Sequence, residues 1–189
     1  MTAPTKIAVF ASGSGSNFQA IQEAIEHGEL NAKVALVVTD KPGAFVVTRA
    51  ESFDIPVLAL SPKEFASKVD YETAIIEALR ECGVEWVVLA GYMRLIGEVL
   101  LAAYPQRIVN IHPSLLPSFP GKDAIGQAMD HGVKVTGVTV HFVDEGMDTG
   151  PIIAQAAVPV VVGDRVATET AIHKEEHSLY TTALQQLFK

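Results

Sequence analysis

Cysteine is nearly absent from this 189-residue chain, with Cys82 the only one, so no internal disulfide can form and nothing points to an oxidising compartment. Basic charge is scarce too. Fourteen Lys and Arg stand against 22 Asp and Glu, a formal net charge of -8, and such a field repels the phosphate backbone on which nucleic-acid binding depends. Any phosphate must then be held locally, by aimed backbone amides and one or two cations, which favours small ligands and disfavours a nucleic-acid partner. Long hydrophobic runs are also missing. Stretches such as Val84–Ala90 and Val158–Val162 fall well short of the ~20 residues needed to cross a bilayer. Met1–Lys6 lacks the basic start, apolar run and small-residue cleavage site of a secretory signal. The expectation is a cytoplasmic protein without a membrane partner.

What the chain does have is core material. Hydrophobic residues make up 49% and charged residues 19%, enough to bury a sizeable interior and too apolar for disorder. No repeat, low-complexity segment or linker interrupts it, so residues 1–189 are expected to form one domain.

Strand and helix signals alternate through the first half. Lys6–Ala11 is a short apolar run ending in Ser and Gly, as in a buried parallel strand, and Phe18, Ile21 and Ile25 follow at helical spacing up to His27-Gly28. The pattern then predicts strand Val34–Val38, helix Ala44–Phe53, strand Pro56–Leu60, helix Lys63–Cys82 and strand Val84–Ala90. Beyond Gly91 come a helix at Glu98–Tyr104, a strand at Arg107–Ile111, a proline-rich loop at Pro113–Gly121 and a helix at Ala124–Asp130. Strands Gly137–Val143 and Ile152–Pro159, joined by the turn Asp144–Gly150, should pair antiparallel, and a helix from Asp164 to Phe188 closes the chain. The implied class is α/β and Rossmann-like: a mainly parallel central sheet, helices on both faces, and an antiparallel strand pair near the carboxyl end.

Three constellations carry chemistry. Ser12-Gly13-Ser14-Gly15-Ser16-Asn17 lies between the first strand and the first helix, where glycines let backbone approach an anion and the helix dipole favours negative charge. The bland alternative is a glycine-rich turn whose Ser16 or Asn17 merely caps the helix. A dinucleotide fingerprint is a rival, with Asp40 after the second strand as the ribose-binding acid, but its third glycine is replaced by Phe18. The second constellation, Asn110-Ile111-His112-Pro113-Ser114-Leu115-Leu116-Pro117, sits at the carboxyl end of the fifth strand. Alternation turns Asn110 and His112 to the same side of the strand, and the carboxyl edge of the sheet is where such folds bind ligands. Third is Asp144–Pro151, DEGMDTGP, whose Asp148 could equally be a solvated turn residue.

In the order SGSGSN, LAGYMRLI, NIHPSLLPSFPG, GVTVHFVDEGMDTGP and EEHSLY, from about Lys6 to Tyr180, the chain resembles the folate-dependent formyltransferases. Within them it is most similar to the branch acting on phosphoribosylglycinamide in purine biosynthesis. The methionyl-tRNA branch shares the central motifs but carries an added domain for which 189 residues leave no room. The resemblance implies that Asn110, His112 and Asp148 are the catalytic trio, that Gly15, Ser16 and Asn17 hold the substrate phosphate, and that Glu176 engages the ribose. It places Lys68, Met93, Arg94, Leu95 and Ile96, together with Asn110, at the folate. It implies 10-formyltetrahydrofolate as cosubstrate and no metal; His27, His131, His141 and His173 show no metal-ligand spacing, with His27 and His131 read as surface residues. Some members carry histidines where this chain has Lys122-Asp123-Ala124-Ile125, so contacts of that loop are not transferred. The partners implied are two small molecules, and the motifs leave open whether the chain is a monomer or a homodimer. A hydrolase of the same family, giving the formyl group to water, and a non-catalytic nucleotide-binding module are the alternatives. The first has no use for a phosphate loop, and the second none for an Asn and a His beside an acid.

Overall fold

The computed structural model describes residues 2–189. Its elements run β1 (Thr5–Phe10), α1 (Ser16–Glu26), β2 (Ala32–Thr39), α2 (Phe45–Ser52), β3 (Val57–Ala59), α3 (Lys68–Glu81), β4 (Trp86–Leu89), α4 (Glu98–Ala103), β5 (Ile108–His112), α5 (Ala124–His131), β6 (Val135–Phe142), β7 (Ile152–Pro159) and α6 (Arg165–Leu187). Seven strands form one sheet in the order β3-β2-β1-β4-β5-β6-β7. Pairing is parallel from β3 across to β5, then antiparallel at β5–β6 and β6–β7. This is the Rossmann-like arrangement expected from the sequence, with the antiparallel part extending to β5.

Alternation along β1 divides the core in two. Ile7 and Val9 face a cluster with Phe18 of α1, Val46 of α2, and Ile172, Tyr180 and Leu184 of α6. Ala8 and Phe10 face the other side, against Tyr71, Ile75 and Leu79 of α3 and Leu100 of α4. Both faces of a parallel sheet are thus covered, which is why its strands read as unbroken apolar runs. The buried Tyr180 hydroxyl donates to Leu89 O at 2.7 Å, tying α6 to the carboxyl end of β4.

One predicted helix begins late. Periodicity suggested a start at Lys63, but Pro62–Glu64 forms a separate 3-10 turn, Phe65 is extended, and α3 starts at Lys68. The cause is Ser67, whose hydroxyl accepts from Asp70 N at 3.1 Å and donates to Asp70 Oδ2 at 2.8 Å, a cap that defines the first turn. The expected helix at Glu98–Tyr104 and the carboxyl-terminal strand pair are present, with β6 starting at Val135, two residues before Gly137.

The topology gathers loops at one edge. Residues following β1, β4 and β5 leave the sheet side by side at its carboxyl end, where open α/β sheets place their ligands.

Candidate active site

The loop after β1 is shaped by Gly15. It adopts the left-handed conformation (φ 74°), and a Cβ there would stand 2.5 Å from Val46 Cγ2, so both backbone and space require glycine. Gly15 is also the N-cap of α1, and no side chain bonds the helix start. Ser16 and Asn17 are therefore not caps, and the first-turn amides of α1 are left for an anion at the positive end of the helix dipole. Arg49 of α2 braces the loop, its Nε donating to Ser14 O at 2.7 Å and its Nη1 to Gln19 Oε1. Asn17 is buried against α6, donating from Nδ2 to Glu176 Oε2 at 3.3 Å, while its Oδ1 has no partner within the protein. The same Glu176 oxygen receives His173 Nδ1–H at 3.0 Å. Glu176 is 5% exposed, and its carboxylate raises the His173 pKa above the usual histidine value.

Between β4 and α4 the segment Gly91–Gly97 has no regular structure and is held by side chains. Met93 N donates to Ser12 Oγ at 2.9 Å, the Tyr92 and Tyr71 hydroxyls lie 3.1 Å apart, and Gly97 N donates to Glu72 Oε2 at 2.8 Å. Met93 and Leu95 are strongly exposed, at 72% and 48%. Exposed apolar side chains beside backbone amides suit a flat heteroaromatic ligand.

At the end of β5, Asn110 and His112 turn to the same side, as alternation predicts, while Val109 and Ile111 enter the core. His112 is 6% exposed; its Nε2–H donates to Phe119 O at 2.9 Å, and its Nδ1 lies 3.5 Å from Asp148 Oδ2. Asp148 therefore does reach the histidine. Its backbone is left-handed (φ 56°), a conformation that costs energy for a non-glycine residue, and its Oδ2 accepts from Gly121 N at 2.8 Å. That bond ties the turn after β6 to the proline loop. The loop is itself pinned by Thr139, which donates to Ser114 O at 2.7 Å and accepts from Leu116 N at 3.1 Å.

His141 completes the cluster. It sits opposite Asn110 in the β5–β6 register and is 2% exposed. Its Nδ1–H donates to Phe142 O at 2.8 Å. Burial lowers its pKa, outweighing the pull of the Phe142 carbonyl and Asp148, so the ring is neutral and Nε2 accepts from Asn110 Nδ2 at 3.3 Å. One Asn110 amide hydrogen is thereby used and the other is free. His141 Nε2 is 3.8 Å from Asp148 Oδ1, too far for a hydrogen bond.

These parts surround one cleft of about 970 Å³. Gly15, Ser16, Asn17, Met93, Arg94, Leu95, Ile96, Asn110, His112, Asp148 and Glu176 all line it. Lys68 does not. It is exposed at the first residue of α3, packed beside Gly97 just past the folate segment expected from the sequence. Reading the sequence missed His141 and His173, which also line the cleft. The signals were there: His141 alternates in phase with Thr139 along β6, and His173 precedes Glu176 by one helical turn. His27 and His131 are exposed. Asp123, in the Lys122–Ile125 stretch, accepts from Gly126 N at the start of α5 and pairs with Arg165 at 2.6 Å. Among the described residues no group of three or more His, Cys, Asp and Glu side chains is arranged to hold a metal ion. A smaller cavity of about 430 Å³, lined by Lys6, Lys33 and Cys82, opens at the opposite, amino end of the strands.

Comparison with known proteins gives the family. The family model described as "Formyl transferase" matches residues 5–184. The chain belongs to the formyl transferase family. A curated member, phosphoribosylglycinamide formyltransferase of Bacillus subtilis, is 57% identical over 183 residues, covering 96% of this chain and 94% of that protein. The crystal structure of glycinamide ribonucleotide transformylase 1 from Geobacillus kaustophilus superposes with a TM-score of 0.96 at 57% identity, covering 98% of this chain and 100% of that one. The human trifunctional purine biosynthetic protein adenosine-3 is 40% identical over 181 residues, but this formyl transferase spans only 18% of its length. No helix among the described residues is long and apolar enough to cross a membrane.

Proposed function

We propose that this formyl transferase is a phosphoribosylglycinamide formyltransferase, moving the formyl group of 10-formyltetrahydrofolate onto the amine of 5'-phosphoribosylglycinamide in purine biosynthesis. Residues 1–189 form one such domain, acting on small molecules in the cytoplasm. The observation that carries the reading is the convergence, in a single cleft, of an anion cradle, an apolar wall and an Asn–His–Asp cluster.

Each part has a task. The substrate phosphate binds the amides at Gly15–Asn17, and its ribose hydroxyls meet Glu176 and the unpartnered Asn17 Oδ1. The pterin ring lies against Met93–Ile96, with Lys68 at the rim of the folate site. The substrate nitrogen bonds to the formyl carbon, negative charge gathers on the formyl oxygen, and the bond from that carbon to folate N10 then breaks. One proton leaves the amine and one is delivered to N10.

Asn110 meets the developing oxyanion with the amide hydrogen that His141 leaves free, a donor of a kind worth about 3 to 4 kcal/mol in such transition states. His112 spends Nε2–H on Phe119 O, so Nδ1 is the nitrogen available for proton exchange. Asp148 facing Nδ1 stabilises the charged ring and fixes its orientation. General acid–base help of this sort contributes roughly 10²- to 10⁴-fold.

The test is direct. Incubation with phosphoribosylglycinamide and 10-formyltetrahydrofolate should give formylated nucleotide and tetrahydrofolate in equal amounts. Release of free formate without formylated nucleotide would replace the transferase with the hydrolase.

A further inference from the structure

Asp40 is a buried carboxylate that the chemistry above does not use. It follows β2, where a dinucleotide-binding fold would keep its ribose-binding acid, yet it is 8% exposed and turned inward. Its Oδ1 accepts the hydroxyl hydrogen of Ser12 at 2.6 Å. Ser12, 4% exposed, accepts in turn from Met93 N at 2.9 Å, and its own N donates to Gly91 O at 3.0 Å. One buried hydroxyl therefore joins three segments: the head of the phosphate loop, the end of β2, and the start of the Met93–Ile96 wall.

We propose that the Ser12–Asp40 pair is a positioning strut that couples the two substrate sites, so that a ligand on the phosphate loop tightens binding at the folate segment. This rests on the reading of the two sites given above. Gly91–Gly97 has no helix or strand bonds to hold it; side-chain packing and a few hydrogen bonds set its placement. At its far end Gly97 N is tied to Glu72 of α3 and Ile96 is buried in the core. At its near end the Tyr92 side chain is held by Tyr71 and Phe10, and the backbone is held by the two bonds to Ser12. Ser12 leads directly into Gly13–Asn17, so a phosphate that orders that loop also orders the acceptor of Met93 N. The folate then meets a segment whose ordering cost has already been met, which is positive coupling without any large movement. Asp40 makes the strut directional. By accepting the Ser12 hydrogen it holds the oxygen lone pairs toward Met93 N, and a hydroxyl polarised by a carboxylate accepts more strongly.

The experiment is calorimetric titration of tetrahydrofolate, which has no formyl group and so cannot react, with and without saturating phosphoribosylglycinamide. In the wild-type protein the nucleotide should lower the tetrahydrofolate Kd by about fivefold or more, the lower end of ordinary coupling. Ser12→Ala should bring the ratio of the two Kd values close to one. Asp40→Ala should do the same, while Asp40→Asn, which retains an acceptor oxygen, should keep most of the coupling. The two Asp40 variants decide the matter if Ser12→Ala does not fold. A purely structural role would weaken both titrations alike and leave the ratio intact, and that result, or a wild-type ratio of one, overturns the proposal. A wild-type protein that makes no formylated product removes the reading of the sites and the strut with it. A protein that makes product while every variant keeps the wild-type ratio refutes the strut alone.

Discussion

Asp148→Asn isolates the charge at the centre of the cluster. Asparagine has the same shape, tolerates the left-handed backbone at this position (φ 56°) and can still accept from Gly121 N, so the turn after β6 should survive the exchange. What disappears is the negative charge 3.5 Å from His112 Nδ1. Once the His112 ring carries a proton in transit, an effective dielectric near 20 between side chains 8% and 13% exposed gives an attraction of about 5 kcal/mol at that distance. Water reaches the pair in part, and the amide dipole replaces some of the interaction. The expected loss is therefore about 3 to 4 kcal/mol of transition-state stabilisation, or a fall in kcat of roughly 10²- to 10³-fold. The KM values of both substrates should change little, because neither phosphate loop nor apolar wall touches Asp148. Initial rates of tetrahydrofolate release with each substrate varied give all three constants, and the melting temperature reports the fold. A kcat within tenfold of wild type, in a variant that melts normally, would refute the claim that the Asp148 charge works through His112.

Gly15→Ala forces a side chain into the left-handed region and against Val46; it should cost about 2 to 4 kcal/mol of stability and raise the KM of the phosphoribosyl substrate. Denaturant unfolding that shows less than ~1 kcal/mol of loss would mean the loop does not need its observed shape. The His173–Glu176 pair predicts a pH signature: because the folded His173 pKa is raised above 6.5, the pair's stability is full below that pH and is lost as pH rises through the folded value. The melting-temperature gap between wild type and His173→Gln should accordingly be widest below pH 6.5 and close at alkaline pH; a gap that does not vary with pH contradicts the pairing. His141 acts in the opposite sense, since its folded pKa is lowered and its neutral form loses stability as pH falls below 6.5.

The parts of this fold legible in the sequence were those set by local rules. The β1 run, the Gly15 turn and the helical spacing of Phe18 and Ile21 each follow from neighbours in the chain. Asn110 and His112 could be turned to one side by strand alternation alone. The Asp148 contact could not be read this way, because β6 leaves the sheet at Phe142, opposite Val109, and the turn after it must fold back toward His112. The β5–β6 register places His141 opposite Asn110, and a histidine inside an apolar strand reads as core until its partner strand is known. Apolar spacing puts the start of α3 too early because it does not register the cap that Ser67 and Asp70 form. Asp40 lay where a cofactor acid would lie, and only its bond to Ser12 gives it a different part.

One cleft must hold both the substrate phosphate, at the start of α1, and the reacting amine, at the end of β5. A crystal structure of the complex with phosphoribosylglycinamide and tetrahydrofolate measures this directly. The phosphate is expected on the backbone amides of Gly15–Asn17, and the amine beside folate N10 within hydrogen-bond reach of Asn110 and His112. A phosphate bound elsewhere, or an amine turned away from both side chains, would contradict this placement.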